Sequence, residues 1–137
     1  MRITLCSSTA FFDRLLDIKK DLEARCHQVH LPSMKDFKVE DSIAKIQYDL
    51  ISDHFRKIAD SDAIYVANYD KNGITGYIGG NTFLEMGLAF YRKIPIFLMK
   101  EIPHQMNYRD ELIALKPILV GKDWEALDDY LNKYYML

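Results

Sequence analysis

The spacing of apolar residues changes several times along this chain, and each change marks an element. Residues 2–6 form a short apolar run around Ile3, Leu5 and Cys6 and read as a buried strand. Ser7-Ser8-Thr9 supplies a turn with helix-capping hydroxyls. Phe11, Phe12, Leu15, Leu16, Ile18 and Leu22 then recur at helical spacing and predict a helix over 10–25. A second short strand follows over 28–31, closed by Pro32, and residues 33–40 are polar and irregular. Ile43, Ile46, Leu50, Ile51, Phe55 and Ile58 form the apolar stripe of a long helix over 40–60. Residues 62–67 are apolar on both faces, as a central parallel strand requires.

A loop of Gly, Asn, Asp and Lys runs on to Gly80, and an apolar helix then reaches Lys93. Residues 94–99 read as another buried strand with Pro95 near its start, where a missing N–H is tolerated. Residues 101–116 are mixed, with one short helix. A last strand occupies 118–120, and Asp123 caps a last helix over 123–135. Strands alternate with helices throughout, which predicts one α/β domain over 1–137 with a five-stranded parallel sheet. Right-handed crossovers favour the doubly wound order 2-1-3-4-5. In that order the loops after Cys6 and Ala67 flank one crevice, where open α/β sheets bind ligands.

Composition narrows the function classes. The 137 residues carry a net charge of -2 with both signs mixed, so no basic face for nucleic acid is expected. No apolar run approaches the ~18 residues of a membrane span, so none is expected, and with a strand starting at once no signal peptide is expected either. The two cysteines, Cys6 and Cys26, lack a Cys-x-x-Cys pairing, and the four histidines lack a metal-ligand spacing. They read as buried or half-buried free thiols in a reducing cytoplasm. No metal and no cofactor is expected.

The most informative chemistry is Glu85, the only charged residue between Lys71 and Arg92. An isolated carboxylate on an apolar helix is costly to bury without a partner or a purpose. One purpose is catalysis. Another is a capping box, in which Thr82 is the N-cap and Glu85 bonds back to it. In either case the helix N-terminus favours the anion. Gly79, Gly80 and Asn81 let a ligand approach backbone N–H groups at that helix start, or simply make a tight turn. Ser7 and Ser8 offer hydroxyls to a sugar or phosphate, or cap the first helix. Asn68 ends the best strand and either binds ligand or makes an Asx-turn. His54 reads as a surface or edge residue. Trp124, Tyr130, Tyr134 and Tyr135 pack the last helix or line a subunit interface.

The arrangement resembles the nucleoside 2-deoxyribosyltransferase-like superfamily, over roughly residues 1–100. The features that carry the likeness are the serine-rich turn, the run Ile58-Ala59-Asp60-Ser61-Asp62-Ala63-Ile64, the strand ending in Asn68, and the signature Gly-x-x-x-x-Glu-x-Gly-x-Ala, here Gly80 to Ala89. The resemblance implies that Glu85 attacks the anomeric carbon of a (deoxy)nucleoside or nucleotide. A covalent glycosyl-enzyme then passes to a second base or to water. Ser7, Ser8, Asn68, Gly79, Gly80 and Asn81 are the candidate substrate contacts, and the aromatic last helix with the amphipathic helix over 40–60 leads to the expectation of a homodimer or larger homo-oligomer, which the resemblance strengthens. Where that family carries base-handling acids, this chain has His54 and Gly79. The family's deoxynucleotide N-hydrolases have a Gly- and Arg-containing phosphate loop after the first strand; Cys6-Ser7-Ser8-Thr9 has neither residue. The competing reading is a non-catalytic nucleotide- or flavin-binding α/β module.

Overall fold

A computed structural model describes residues 1–32 and 43–136, the side chains of 43–48 apart. The irregular stretch 33–40 and the expected start of the long helix at 40–42 lie outside the described residues. In chain order the elements are β1 (Arg2–Cys6), α1 (Phe12–Ala24), β2 (Gln28–His30), α2 (Ile43–Ala59) and β3 (Ala63–Val66). There follow α3 (Gly80–Tyr91), β4 (Ile96–Leu98), α4 (Arg109–Ala114), β5 (Ile118–Leu119) and α5 (Trp124–Met136). All strands are parallel and the order is β2-β1-β3-β4-β5. This is the doubly wound α/β sheet that the alternation of elements predicts.

The period-2 alternation of the strands sorts the core into two layers. Ile3, Leu5, Ala63, Tyr65 and Phe97 face one side and meet Leu15, Ile18 and Leu22 of α1 and Leu127 and Leu131 of α5. Cys6, Ile64, Val66, Ile96 and Leu98 face the other and meet Ile58 of α2, Met86 and Ala89 of α3 and Leu112 of α4. β1 and β3 thus bury both faces, which explains the unbroken apolar run of β3, while in β1 the buried Thr4 hydroxyl pairs with Ser61 Oγ at 2.6 Å.

Several local expectations need correction. A 3-10 turn over Thr9–Phe11, capped by Ser8, precedes α1, which therefore begins two residues later than the apolar spacing suggests. Leu16 is exposed, because α1 buries only the stripe of Leu15, Ile18 and Leu22. The ladders at β4 and β5 are shorter than their apolar runs. Cys26 is exposed, not buried. It follows the end of α1 with φ 69, the left-handed conformation that closes many helices. Asp123 does cap α5, its Oδ1 accepting the Ala126 N–H at 3.0 Å. Of the aromatics on α5, Tyr134 and Tyr135 donate their hydroxyls to the carbonyls of Lys93 and Asp62, tying the helix end to the body.

Candidate active site

β1, α2 and α3 meet at one point. Cys6 is the last residue of β1 and its side chain is fully buried on the α2–α3 side of the sheet. His54 projects from α2 into the same place, its Nε2 3.6 Å from Cys6 Sγ. Glu85 comes down from α3, its Oε2 3.3 Å from His54 Nε2. The side chains of His54 and Glu85 are only 5% and 13% exposed, so the contact is made largely out of water. His54 Nδ1 and Glu85 Oε2 are buried without a hydrogen-bond partner among the described residues. Such atoms are rare in folded proteins, and a water, an ion, local strain or a catalytic role accounts for them where they occur. Burial, and then the neighbouring Glu85 carboxylate, hold the Cys6 thiol well above its ordinary range. Cys6 is therefore a neutral S–H at neutral pH and not a nucleophile.

This geometry changes the reading of two residues. His54 is buried, not at the surface or an edge. A signal for this exists in the sequence: Leu50, His54 and Ile58 recur at i, i+4 and i+8 on the buried stripe of α2. The polar residues around it, Asp53 just before and Arg56 two residues on, hide that periodicity. Glu85 does not belong to a capping box. The N-cap of α3 is Gly79, which has no side-chain cap, and its carbonyl accepts the Phe83 N–H at 2.9 Å. Thr82 is buried inside the first turn, and Glu85 lies in the second. The influence of the helix dipole falls off within the first turn, so the anion gains little from it there. The environment of Glu85 comes instead from His54 and Cys6.

The residues expected at the ligand crevice fall into two groups. Gly79, Gly80 and Asn81 open α3, and a Cβ at Gly80 would meet nothing within 4 Å, so this helix start stands open. Ser7 and Ser8 follow β1 directly. Ser7 Oγ donates to the Ala67 carbonyl at 2.7 Å, joining the loops after β1 and β3. Ser8 Oγ caps the 3-10 turn and accepts from Lys71 Nζ at 2.8 Å. The hydroxyls thus do local structural work, and Lys71 brings a cation to the crevice.

Asn68 is occupied inside the protein. It is 2% exposed, and its Nδ2 donates to the carbonyls of Lys100 at 3.0 Å and of Gly76 and Glu101 at 3.3 Å. Its Oδ1 accepts the Lys100 N–H at 2.9 Å. Asn68 therefore staples the glycine-rich loop to the segment after β4. Gly76 makes that approach possible: its φ is +70, and a Cβ would sit 2.8 Å from the Glu101 carbonyl oxygen. The Gly76 N–H and then Lys100 hold the Asp70 carboxyl below its ordinary range, fixing the loop from its outer side. Stacked rings of Phe83 and Tyr108, with centroids 4.5 Å apart, and the Tyr108 hydroxyl on the Ile78 carbonyl fix its far end.

A broad cleft of about 630 Å³ opens further along the sheet, bordered by Thr75, Lys100, Glu101, His104, Gln105 and Gly121. Glu85 does not line it. The concentration of reactive groups lies elsewhere, at Cys6, His54 and Glu85.

Comparison with known proteins agrees with the fold. No protein-family model matches the sequence. No curated protein matches it either. Among solved structures, the chain is similar to a conserved protein from Enterococcus faecalis V583, with 15% identity, 98% of each chain covered and a TM-score of 0.59. It is similar to the CMP N-glycosidase BcmB of Clostridium botulinum, with 17% identity, 98% of each chain covered and a TM-score of 0.51. It is also similar to a 2-deoxyribosyltransferase from Bacillus psychrosaccharolyticus, with 19% identity, 72% of this chain and 71% of that chain covered, and a TM-score of 0.50. The fold is thus one that nucleoside- and nucleotide-processing enzymes use.

Proposed function

We propose that this chain cleaves or exchanges the N-glycosidic bond of a (deoxy)nucleoside or nucleotide, with Glu85 as the nucleophile. The observation that carries the reading is the position of Glu85. It is a half-enclosed carboxylate at the carboxyl end of β1, next to the strand-order reversal between β1 and β3 where open α/β sheets take their ligands. The likeness of fold to a CMP N-glycosidase and a 2-deoxyribosyltransferase supports the same reading.

In this mechanism Oε2 of Glu85 lies beside His54, and Oε1 attacks the anomeric carbon. The C–N bond breaks as the new C–O bond forms, and its electron pair leaves with the base, which takes a proton from solvent. Water, or a second base, then attacks the same carbon from the vacated face and returns the carboxylate, giving net retention. A carboxylate suits this chemistry because the transition state carries oxocarbenium-like positive charge. Cys6, held as a thiol, does not compete for the electrophile. The open start of α3 at Gly79, Gly80 and Asn81, with Lys71 beside Ser8, suits a phosphate or sugar hydroxyl at the mouth.

The test is incubation of the protein with a panel of nucleosides and 5′-nucleotides, with and without a second base, followed by chromatography for free or exchanged base. Release by the parent and its loss in Glu85→Gln support the assignment; equal release by both overturns it. The broad cleft bordered by Lys100 and His104 favours a second reading, a binding module without turnover. Nucleotide binding that survives Glu85→Ala, with no base released by the parent, selects that reading.

A further inference from the structure

We propose that Cys6, His54 and Glu85 form a binding site for a thiophilic divalent cation, zinc being the type. The three side chains present the donor set that zinc takes: a sulfur, an imidazole nitrogen and a carboxylate oxygen. One ligand atom from each lies within 4.8 Å of the other two. The two separations made by His54 match the edges of a tetrahedral site. Bonds of about 2.3 Å to sulfur and about 2.0–2.1 Å to nitrogen and oxygen give tetrahedral edges of about 3.5 Å for S–N and about 3.3 Å for N–O. Cys6 Sγ and His54 Nε2 are 3.6 Å apart, and His54 Nε2 and Glu85 Oε2 are 3.3 Å apart.

The surroundings favour an ion as well. Glu85 Oε2 is buried and makes no regular hydrogen bond among the described residues, although His54 Nε2 stands 3.3 Å away, so a cation between them would meet a buried polar atom that is otherwise poorly satisfied. A thiolate, a carboxylate and a dication sum to zero charge, which lowers the cost of burying them together. On binding, the Cys6 S–H bond breaks, its proton passes to solvent and its electron pair goes to the ion; nothing is oxidised or reduced. Three protein ligands leave a fourth position for water or another ligand. The donors come from β1, α2 and α3, so the site exists only in the folded chain, and the ion stabilises that fold.

One consequence rests on the proposed function. An ion held by Glu85 occupies the nucleophile, so zinc inhibits base release and a chelator restores it.

The test uses Co²⁺ as a spectroscopic probe on the full chain. We expect a thiolate-to-cobalt charge-transfer band in the near ultraviolet and the visible bands of a tetrahedral ion, saturating at one ion per chain and abolished by added Zn²⁺. Cys26→Ser, which removes the exposed thiol, keeps the charge-transfer band, and Cys6→Ser loses it. Glu85→Gln weakens cobalt binding by more than the roughly tenfold that loss of even an outer-shell partner costs. A parent without the charge-transfer band overturns the site. So does a band lost in Cys26→Ser, or cobalt affinity unchanged in a folded Glu85→Gln. The last measurement decides the matter should Cys6→Ser fail to fold by circular dichroism. A cobalt spectrum without base release from any substrate leaves this site standing and removes the enzymatic reading. Base release with no spectrum does the reverse.

Discussion

His54 Nε2 stands 3.3 Å from Glu85 Oε2, and the two side chains arrive at that contact from different helices, α2 and α3. The contact joins a buried imidazole to a carboxylate in the second turn of an apolar helix, against the neutral thiol of Cys6. It gives Glu85 a fixed orientation that a solvated carboxylate would lack.

Glu85→Gln keeps the shape and removes the anion. Base release is expected to fall by about a thousandfold or more, since the loss of a nucleophile removes the whole covalent route. Thermal unfolding is expected at the same temperature or higher. Glu85 makes no cap, and neutralising a partly buried carboxylate lowers its desolvation cost. Comparison of melting curves with turnover checks this. A large loss of stability with turnover intact would assign Glu85 to the fold.

His54→Ala leaves Glu85 without its orienting neighbour. A misplacement of about 1 Å costs on the order of 100-fold, so kcat is expected to fall by roughly that factor with KM little changed. Partial recovery in His54→Gln, whose amide can donate to the carboxylate, separates positioning from mere packing. Steady-state kinetics on the three proteins provide the check.

Asn68→Asp replaces a double donor with an acceptor facing the carbonyls of Gly76, Lys100 and Glu101. Unsatisfied buried groups cost about 1–3 kcal/mol each, more when charged. A loss above about 2 kcal/mol is expected in urea unfolding. A folded variant of unchanged stability that binds ligand poorly would instead make Asn68 a direct ligand contact.

Asp128 accepts from His27 Nε2 and Arg25 Nε, each at 2.6 Å. Burial pushes its carboxyl up, but His27 and Arg25 outweigh it and the net shift is downward. A carboxyl lowered by folding contributes stability above its ordinary range and loses it as pH falls through the lowered value. Acid unfolding of the parent is therefore expected to weaken in its dependence on pH in Asp128→Asn. The side chain is partly open to solvent, so the cost of that change at neutral pH is at most about 1 kcal/mol. Identical acid transitions in the two proteins would contradict this.

Leu84, Phe90 and Tyr91 stand exposed on α3. Self-association into a dimer or larger assembly is expected to cover part of this surface, and light scattering at micromolar concentration measures it. A monomer at that concentration would count against the expectation.

The amino-acid sequence by itself determined the alternation of elements, the parallel sheet and its strand order. These follow from periodicity, which acts over a few residues at a time, and from the handedness of crossovers, which constrains each strand–helix–strand unit. It also singled out Glu85, because one charge in a long apolar stretch is visible without coordinates. The neighbours of Glu85 were decided only by the tertiary structure. Cys6 and His54 come from other elements, and nothing local links a strand end, a helix face and a second helix. The apolar run over 80–89 placed the helix but not its first residue. That boundary depends on where the Gly79 carbonyl begins to accept, and it moved Glu85 from a cap into the second turn. Asn68 followed the same rule. Its place after β3 was legible, but its partners Gly76, Lys100 and Glu101 come together only when the loops after β3 and β4 fold against each other.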